Sequence, residues 1–349
     1  MNAPARPVEI DRSRFIGGSD CAAIIGVSPW ATPLDCYLEK IGQSRPIEPA
    51  REKLFRRGKR LEPVVIDMLI EEYGVKVTKR SSPEAPNRYI DPGCDYLAAE
   101  IDFEWEVTAE LAERFSLLPE LVGTIQNGEV KTCHPFAAAK FGEAETDEIP
   151  IEYAAQAVHG LMVSGRRLTL FGVLVGADSL LVYWIHRDND TIRAIREKET
   201  RFWLEHVLNR VPPAPVNLPD VLHLFGMTED IRVQAADEAL ALYEQFVEAK
   251  AQERVAGERI EGLKYQLGRY MLGEAALERD AKGKVKPVGE PKPGKHLLLA
   301  GDKTLLTVAF QRQNRIDTDT LRRLHPEVAT ECSKTTSFYK FDLPRGKKS

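Results

Sequence analysis

The sequence predicts a mixed α/β fold, in which a central mixed sheet is flanked by helices. Two observations support this class. Apolar residues recur at helical spacing in several segments of the first 75 residues. β-branched and aromatic residues cluster in strand-like runs between about residues 75 and 185. Helices, a group of strands, a helix, two more strands and a helix follow one another, as in a domain built around one sheet.

The first elements are helices. GGSDCAAIIG (17–26) predicts a turn and a short helix, with Ser19 or Asp20 as the N-cap. A second helix should begin after Pro33. Apolar residues at 3/4 spacing then predict an amphipathic helix over 61–73, which the following glycine ends.

A group of strands follows. Runs of apolar, aromatic and β-branched residues predict strands at 75–80, 94–107 and 123–132. Asp102 lies inside the second of these strands and Glu129 inside the third, so the two carboxylates can lie on neighbouring strands. A short helical insertion over residues 108 to 123 separates them and must either project from the site or cover it.

The sheet domain ends with alternating helices and strands. Helices are predicted at 136–142 and 150–164. Two further strands are predicted at 168–176 and 180–188, and a long helix covers 189–209.

Proline marks the end of this domain. The segment VPPAPVNLPD ends the last helix, so we divide the chain into a domain at 1–210, a Pro-rich linker at 211–230 and an extension at 231–349. The extension should contain a long helix or helical hairpin over 232–272 and then strand, strand, short helix, strand. A coiled-coil dimerisation arm is the alternative interpretation of the helical segment. The Gly- and Pro-rich basic tract at 280–295 predicts a loop.

Composition is that of an ordinary folded protein. Of the 349 residues, 43% are hydrophobic and 29% are charged, and the formal net charge is −5. This balance argues against a globally basic nucleic-acid binder, although a local patch can still hold DNA. Five scattered cysteines without a CxxC pair argue against a zinc or iron–sulfur site. No apolar run reaches membrane-spanning length, and we expect a cytoplasmic protein.

One basic run stands out against this acidic background. Six of the ten residues at 51–60 are basic, and they precede the helix predicted from Leu61. Such a run is either a solvated face or a surface that binds the DNA backbone. Its candidates for DNA contact are Arg56, Arg57, Lys59 and Arg60.

The strand motif GEVKT suggests chemistry. Glu129 and Lys131 are two residues apart and would point to the same face of a strand. Hydrolysis of a phosphodiester needs an activated water and neutralised phosphate charge, which Mg²⁺ held by carboxylates can supply. Asp102, Glu129, Lys131 and, from the first turn of its helix, Glu62 would form such a set, with the carbonyl of Val130 as a further ligand.

Five motifs in order carry a family resemblance: GGSDCAAIIG, RRGKRLEP, AAEIDF, GEVKT and YAAQAVHGLMVSG. From about residue 12 to 210 the chain resembles the YqaJ-like viral recombinases, relatives of phage lambda exonuclease in the PD-(D/E)xK nuclease superfamily. The resemblance implies a PD-(D/E)xK core and a Mg²⁺-dependent deoxyribonuclease, with Mn²⁺ as a substitute metal. It further implies resection of double-stranded DNA, usually 5′ to 3′, to expose single strands for recombination.

The resemblance also assigns roles to residues. Asp102 and Glu129 would bind the metal, Lys131 would position or activate the water, and Glu62 would contribute to the metal site. Both side chains of the Glu129–Lys131 pair should then face a metal-bound water and a phosphate rather than each other. Gln156 and Tyr153 would form the polar helix pair that borders the site. Ser19 would contact a DNA phosphate, and Arg12 or Arg14 would bind a 5′-phosphate.

The resemblance extends to partners and leaves alternatives open. It implies a phage or prophage protein in a bacterial host, a homo-oligomer, and a single-strand annealing protein as partner. One alternative is a structure-specific endonuclease or nickase on the same fold. Another is a DNA-binding recombination accessory protein without activity.

Overall fold

The computed structural model describes residues 11–46, 49–272, 294–309, 315–333 and 338. The chain divides into two compact units, Met1–Met227 and Thr228–Ser349. The first contains every residue of the predicted site.

The first unit is built on a five-stranded mixed sheet, with strand order β1-β4-β5-β6-β7. Strands β5 and β6 are parallel, and the other neighbours are antiparallel. Strands β2 and β3 form a separate antiparallel hairpin. The seven strands are β1 Lys76–Arg80, β2 Arg88–Asp91, β3 Cys94–Glu100, β4 Phe103–Glu106, β5 Ile125–Cys133, β6 Leu168–Val175 and β7 Ser179–His186.

Helices cover both faces of this sheet. They are α1 Gly18–Ile24, α2 Pro33–Lys40, α3 Pro49–Tyr73, α4 Ala109–Arg114, α5 Ile151–Ser164, α6 Asn189–Phe202 and α7 Leu218–Gly226. Alternate residues of β6 point to opposite faces: Phe171 joins the core formed with α1, α2, α5 and α6, whereas Leu170 joins the core formed with α3 and α4. A strand buried on both faces accounts for the nearly continuous apolar run of β6. The predicted mixed α/β class with a flanked central sheet is confirmed.

The start of α1 differs from the prediction. Gly17 is the N-cap, so the expectation of Ser19 or Asp20 at this position is wrong. Asp20 lies inside the first turn, where its Oδ2 accepts the backbone N–H of Gly17 at 2.9 Å. Its carboxylate therefore caps the helix from within.

Helix α3 is longer than predicted. It begins at Pro49 rather than near Leu61, so the basic run is helical and Glu62 lies in mid-helix instead of the first turn. Proline favours the first turn of a helix, and the Arg, Lys, Glu and Leu residues that follow are good helix formers. Because residues 51–60 are largely exposed, they show no apolar periodicity that could reveal this extension.

The segment predicted as one strand at 94–107 forms two. Strands β3 and β4 are separated by a bend that contains Asp102, so this residue is not inside a strand as predicted. The predicted insertion forms α4 and a 3₁₀ turn at Pro119–Leu121, and its Leu111, Leu117 and Leu121 pack into the core on the α3 face. The insertion thus adds to the core next to the C-terminal end of β4.

Most of the predicted linker, as far as Met227, belongs to the first unit. Residues Leu218–Gly226 form α7, and the side chain of its Asp220 is fully buried. Asp220 Oδ1 accepts hydrogen bonds from Thr32 at 3.1 Å and from Arg45 at 3.0 Å. These contacts tie the segment to α2, although the proline content predicted a simple connection.

The second unit contains α8 Asp237–Leu272, the antiparallel hairpin β8 Lys295–Ala300 and β9 Lys303–Ala309, and the short helices α9 Thr318–Leu324 and α10 Pro326–Glu331. The segment predicted as a long helix or a hairpin is one continuous helix of 36 residues. Most of the basic tract at 280–295 and, apart from Phe338, the last predicted strand lie outside the described residues. Within the described part of the chain, no helix combines the length and apolar character needed to cross a membrane.

Candidate active site

The site is centred on the junction of β4 and β5. The ladder between these strands begins with the pair Phe103–Gly128. A Cβ on Gly128 would lie 2.2 Å from the Phe103 ring, so the position requires glycine. One residue beyond the ladder, Oδ2 of Asp102 accepts the backbone N–H of Val130 at 2.9 Å. This hydrogen bond holds the Asp102 carboxylate beside the GEVKT strand.

Glu129 is the buried centre of the cluster, with a relative exposure of 5%. Its Oε1 accepts hydrogen bonds from Nζ of Lys131 and from Nε2 of Gln156 on α5. Lys131 and Glu129 therefore face each other directly, contrary to the sequence-based interpretation that they would not.

Burial and neighbouring charges shift the protonation of this cluster. Burial, and then the nearby Asp102 carboxylate, raise the pKa of Glu129 to about 8, although Lys131 acts in the opposite direction. Burial alone would lower the pKa of Lys131, but Glu129 and Asp102 outweigh it and the pKa is raised. The site thus concentrates more carboxylate charge than Lys131 neutralises.

Glu62 adds a third carboxylate from α3. Its Oε2 pairs with Nζ of Lys59 at 2.9 Å. Burial and then Asp102 raise the pKa of Glu62, whereas Lys59 and Lys131 lower it. The helix thus brings Glu62 within electrostatic reach of both Asp102 and Lys131.

The donor chemistry of this cluster fits a hard divalent cation. Asp102, Glu129 and Glu62 supply carboxylate oxygens. Val130, which lies between Glu129 and Lys131 on β5, adds a backbone carbonyl. Mg²⁺ and Mn²⁺ prefer such oxygen ligands, and a cation would offset the excess negative charge around Glu129.

A cavity of about 250 Å³ opens beside the cluster. The carboxylates of Asp102 and Glu129 line it with Gln156, together with three residues predicted to contact DNA: Arg12, Ser19 and Lys59. The cavity also includes two charged residues that the sequence interpretation missed, Glu100 and Arg88, whose side chains pair at 3.2 Å. Arg88 lies outside the five motifs, and Glu100 lies within AAEIDF but was assigned no role, so only the fold identifies the pair.

Arg12 is held in place by acidic partners. Its guanidinium donates to Ser19 Oγ at 2.9 Å, to Asp20 at 2.8 Å and to Glu39 at 2.8 Å. Asp20 also pairs at 2.7 Å with Lys40, whose side chain is fully buried. Burial would raise the pKa of Asp20, but Lys40 and Arg12 lower it below its usual value. This network fixes the Gly17–Gly18 turn at the cavity wall, and no sequence pattern indicated that Lys40 would be buried.

Tyr153 lies one turn before Gln156 on α5. Its ring centroid is 5.6 Å from that of Trp30 and 5.9 Å from that of Phe171. Nζ of Lys131 lies 6.0 Å from the Tyr153 ring centroid. Tyr153 therefore forms an aromatic wall beside Lys131.

Other predicted residues lie elsewhere. Arg14 is exposed and does not line the cavity. Arg56, Arg57 and Arg60 are exposed on α3, where they line a groove of their own with Lys53 and Leu54. This basic groove is carried by the same helix as Glu62.

Comparison with known proteins identifies relatives. The model of the YqaJ-like viral recombinase domain matches residues 9–167. The chain is 27% identical over 338 residues to the uncharacterized protein YqaJ of Bacillus subtilis (strain 168), a match that covers 96% of this chain and 92% of that protein.

Solved structures that match part of the chain include two exonucleases. The alkaline exonuclease LHK-Exo from Laribacter hongkongensis is 16% identical, and the match covers 57% of this chain and 91% of that one with a TM-score of 0.40. A phage-related exonuclease from Haemophilus somnus 129PT is 13% identical, with 56% and 96% covered and a TM-score of 0.37.

Proposed function

We propose that this chain, whose residues 9–167 match the model of the YqaJ-like viral recombinase domain, is a metal-dependent deoxyribonuclease that hydrolyses phosphodiester bonds of duplex DNA. The more specific proposal is a 5′ to 3′ exonuclease that exposes single strands for phage-type recombination. One observation carries the proposal: Asp102, Glu129 and Gln156 line one cavity. Lys131 donates to Glu129, and Glu62 of α3 lies within electrostatic reach of Asp102 and Lys131.

A divalent cation, Mg²⁺ or Mn²⁺, would be held by Asp102, Glu129, Glu62 and the Val130 carbonyl. When bound, it would promote ionisation of the attacking water and offset charge on the scissile phosphate. The residues of the chain provide the orientation on which this chemistry depends.

Lys131 supplies a positive charge from the chain itself, beside the residues that would hold the metal. One of its three N–H groups is directed at Glu129, so others can hold the attacking water or a phosphate oxygen. Gln156 donates to the same Glu129 oxygen and restricts the rotation of that carboxylate. Gln156 is thus a positioning residue, acting on the reaction through Glu129.

DNA would be held by charge outside the catalytic cluster. The exposed basic residues of α3 are suited to phosphate contacts, which provide affinity without sequence preference. Arg12 and Ser19 at the cavity wall are the further candidates for a terminal phosphate.

Cleavage of an end-labelled linear duplex, with Mg²⁺, with Mn²⁺ and with a chelator, tests this proposal. We expect metal-dependent release of nucleotides from 5′ ends and no loss of circular duplex. The isosteric change Glu129→Gln should reduce cleavage at least about 100-fold, since it removes a charged group at the reacting centre. The matched control Glu113→Gln alters an exposed carboxylate of α4 and should leave the rate unchanged.

Three results would contradict parts of the proposal. Nicking or linearisation of the circle would indicate an endonuclease. Absence of metal-dependent cleavage of any DNA would indicate a binding protein. Wild-type activity of Glu129→Gln would show that the reaction takes place elsewhere.

A further inference from the structure

Helix α8 carries a regular apolar seam. From residue 239 to residue 270, residues at alternating spacings of three and four form one stripe along the helix. Its first set, at heptad position a, is Ala239, Phe246, Glu253, Ile260 and Leu267. Its second set, at position d, is Leu242, Ala249, Ala256, Leu263 and Tyr270. About four consecutive heptads, interrupted by a single charged residue, are typical of a coiled coil.

The seam is exposed within the described part of the chain. No residue of α8 is buried, and Leu242, Ile260 and Leu263 are 60%, 52% and 47% exposed. The helix also contains Gly257, Gly262 and Gly268, which are poor helix formers. Since most helical stability comes from packing an apolar face, this seam requires a partner.

A parallel pairing of two copies would be unfavourable. In register, Glu253 of each copy would face Glu253 of the other inside the seam. Arg259 at position g would also lie beside Lys264 of the second copy at position e, which places like charges together.

An antiparallel pairing removes both conflicts. With the two-fold axis at the seam centre, Glu253 faces Ala256 of the second copy. The carboxylate of Glu253 is compensated within its own helix, because its Oε2 lies 2.6 Å from Nζ of Lys250. Charge therefore favours the antiparallel orientation.

Side-chain size favours the same orientation. The facing pairs are Leu242 with Leu267, Phe246 with Leu263, Ala249 with Ile260 and Ala239 with Tyr270. Ala239 and Ala249 each face a large side chain, so the side-chain volumes complement one another along the length of the helix. This match requires no partner other than a second copy of the same helix.

We propose that α8 is a self-association surface, which pairs with α8 of a second copy as an antiparallel two-stranded coiled coil. The pairing joins the chains through their C-terminal units. It is independent of nuclease activity, so the two proposals can fail separately.

The first test compares two leucines of α8 by light scattering after size-exclusion chromatography of the full chain. Leu263→Glu places a charge in the seam and should halve the mass of the wild-type assembly. The matched control Leu240→Glu changes a residue that is 48% exposed but lies off the seam, and should keep the wild-type mass. A wild-type mass of one chain, or equal masses for both variants, would overturn the proposal.

The second test keeps the seam intact and reads its orientation from disulfide formation under mild oxidation. Because Cys332 is exposed, the test uses the Cys332→Ser background. In this background the double variant Leu242→Cys/Leu267→Cys should form covalent dimers that neither the parent nor Leu242→Cys alone forms. In the antiparallel pair the two copies of position 242 are separated by about 38 Å, at about 1.5 Å per residue. Dimers of the single variant would indicate a parallel pair, and no additional dimers in the double variant would exclude the pairing.

Discussion

Glu129 shows how a single side chain is prepared for its role. A buried carboxylate is costly unless its oxygens are hydrogen-bonded, and here Lys131 and Gln156 share one oxygen. Both donors come from positions that the backbone fixes, two residues along β5 and on the facing side of α5. Removing one donor should therefore disturb the carboxylate without disturbing the fold.

We predict that Gln156→Met slows cleavage about 10- to 100-fold. This range corresponds to a lost hydrogen bond to a charged group, worth about 1.5–3 kcal/mol. Methionine keeps the length of the side chain but cannot donate. Single-turnover cleavage measures the rate, and the dissociation constant for DNA without metal should stay unchanged.

The control for this change is Gln43→Met, at an exposed position after α2. It should cleave at the wild-type rate. Equal rates for the two variants, or a loss of DNA binding instead of turnover in Gln156→Met, would remove the assigned positioning role.

At the scale of elements, the side chain of His159 connects helix α5 to helix α6 and strand β3. It lies on α5 one turn after Gln156, is fully buried, and directs Nδ1 to Glu199 of α6 at 2.8 Å and Nε2 to the Ala98 carbonyl of β3 at 2.9 Å. Both ring nitrogens face oxygen atoms, an arrangement that an imidazolium satisfies with its two N–H donors. Burial would lower the pKa of His159, but Glu199 outweighs it and the pKa is raised.

We predict a pH-dependent stability from this contact. Because the pKa of folded His159 is raised above the unfolded value of about 6.5, its contribution is fully present below that pH and is lost as the pH rises through the folded pKa. Glu199→Gln should cost about 3–5 kcal/mol near pH 6, and the difference from wild type should shrink toward pH 9. Urea unfolding across this range measures it.

Two α1 groups also face His159. Asp20 contributes to the raised pKa of His159, and burial raises the pKa of Cys21 well above its usual value, so the Cys21 thiol stays neutral in this range. Glu197→Gln, an exposed change on the same helix, is the control and should show no such pH dependence. A Glu199→Gln difference that is constant with pH would refute the imidazolium.

At the scale of the whole molecule, an acidic protein carries a local basic helix face. The formal charge of −5 would disfavour DNA, yet Arg56, Arg57 and Arg60 lie together on the exposed side of α3. Phosphate contacts release counterions, so the affinity should fall with salt in proportion to their number.

We predict that the triple change Arg56→Ala, Arg57→Ala and Arg60→Ala lowers the slope of log K against log salt by about 2–3 for duplex DNA, at about 0.9 per contact. Fluorescence anisotropy without a divalent metal measures the slope. The charge-matched control Arg193→Ala, Arg201→Ala and Arg254→Ala changes exposed arginines outside α3 and should keep the wild-type slope. The same loss in both variants would indicate a response to net charge alone.

Sequence patterns anticipated the architecture because each element of the sheet domain buries a face. Alternation or 3/4 spacing follows directly from burial of one face. The continuous apolar run of β6 follows from its contact with helices on both sides. The same patterns fail where burial gives no signal. The exposed start of α3 was predicted incorrectly for this reason. The bend at Asp102 interrupts a run of buried residues that resembles one strand, and helix α7 was missed because of the prolines around it.

The sequence by itself determined most of the helix and strand order, the family resemblance and the identity of the candidate acids, since these depend on local spacing and motif order. Only the tertiary structure decided which groups meet. It joined Glu129 to Gln156 across 27 positions of the chain and Arg12 to Glu39 across the same number, and it buried Lys40 against Asp20. Periodicity is a property of one segment, whereas a site depends on distances between segments, which packing alone sets.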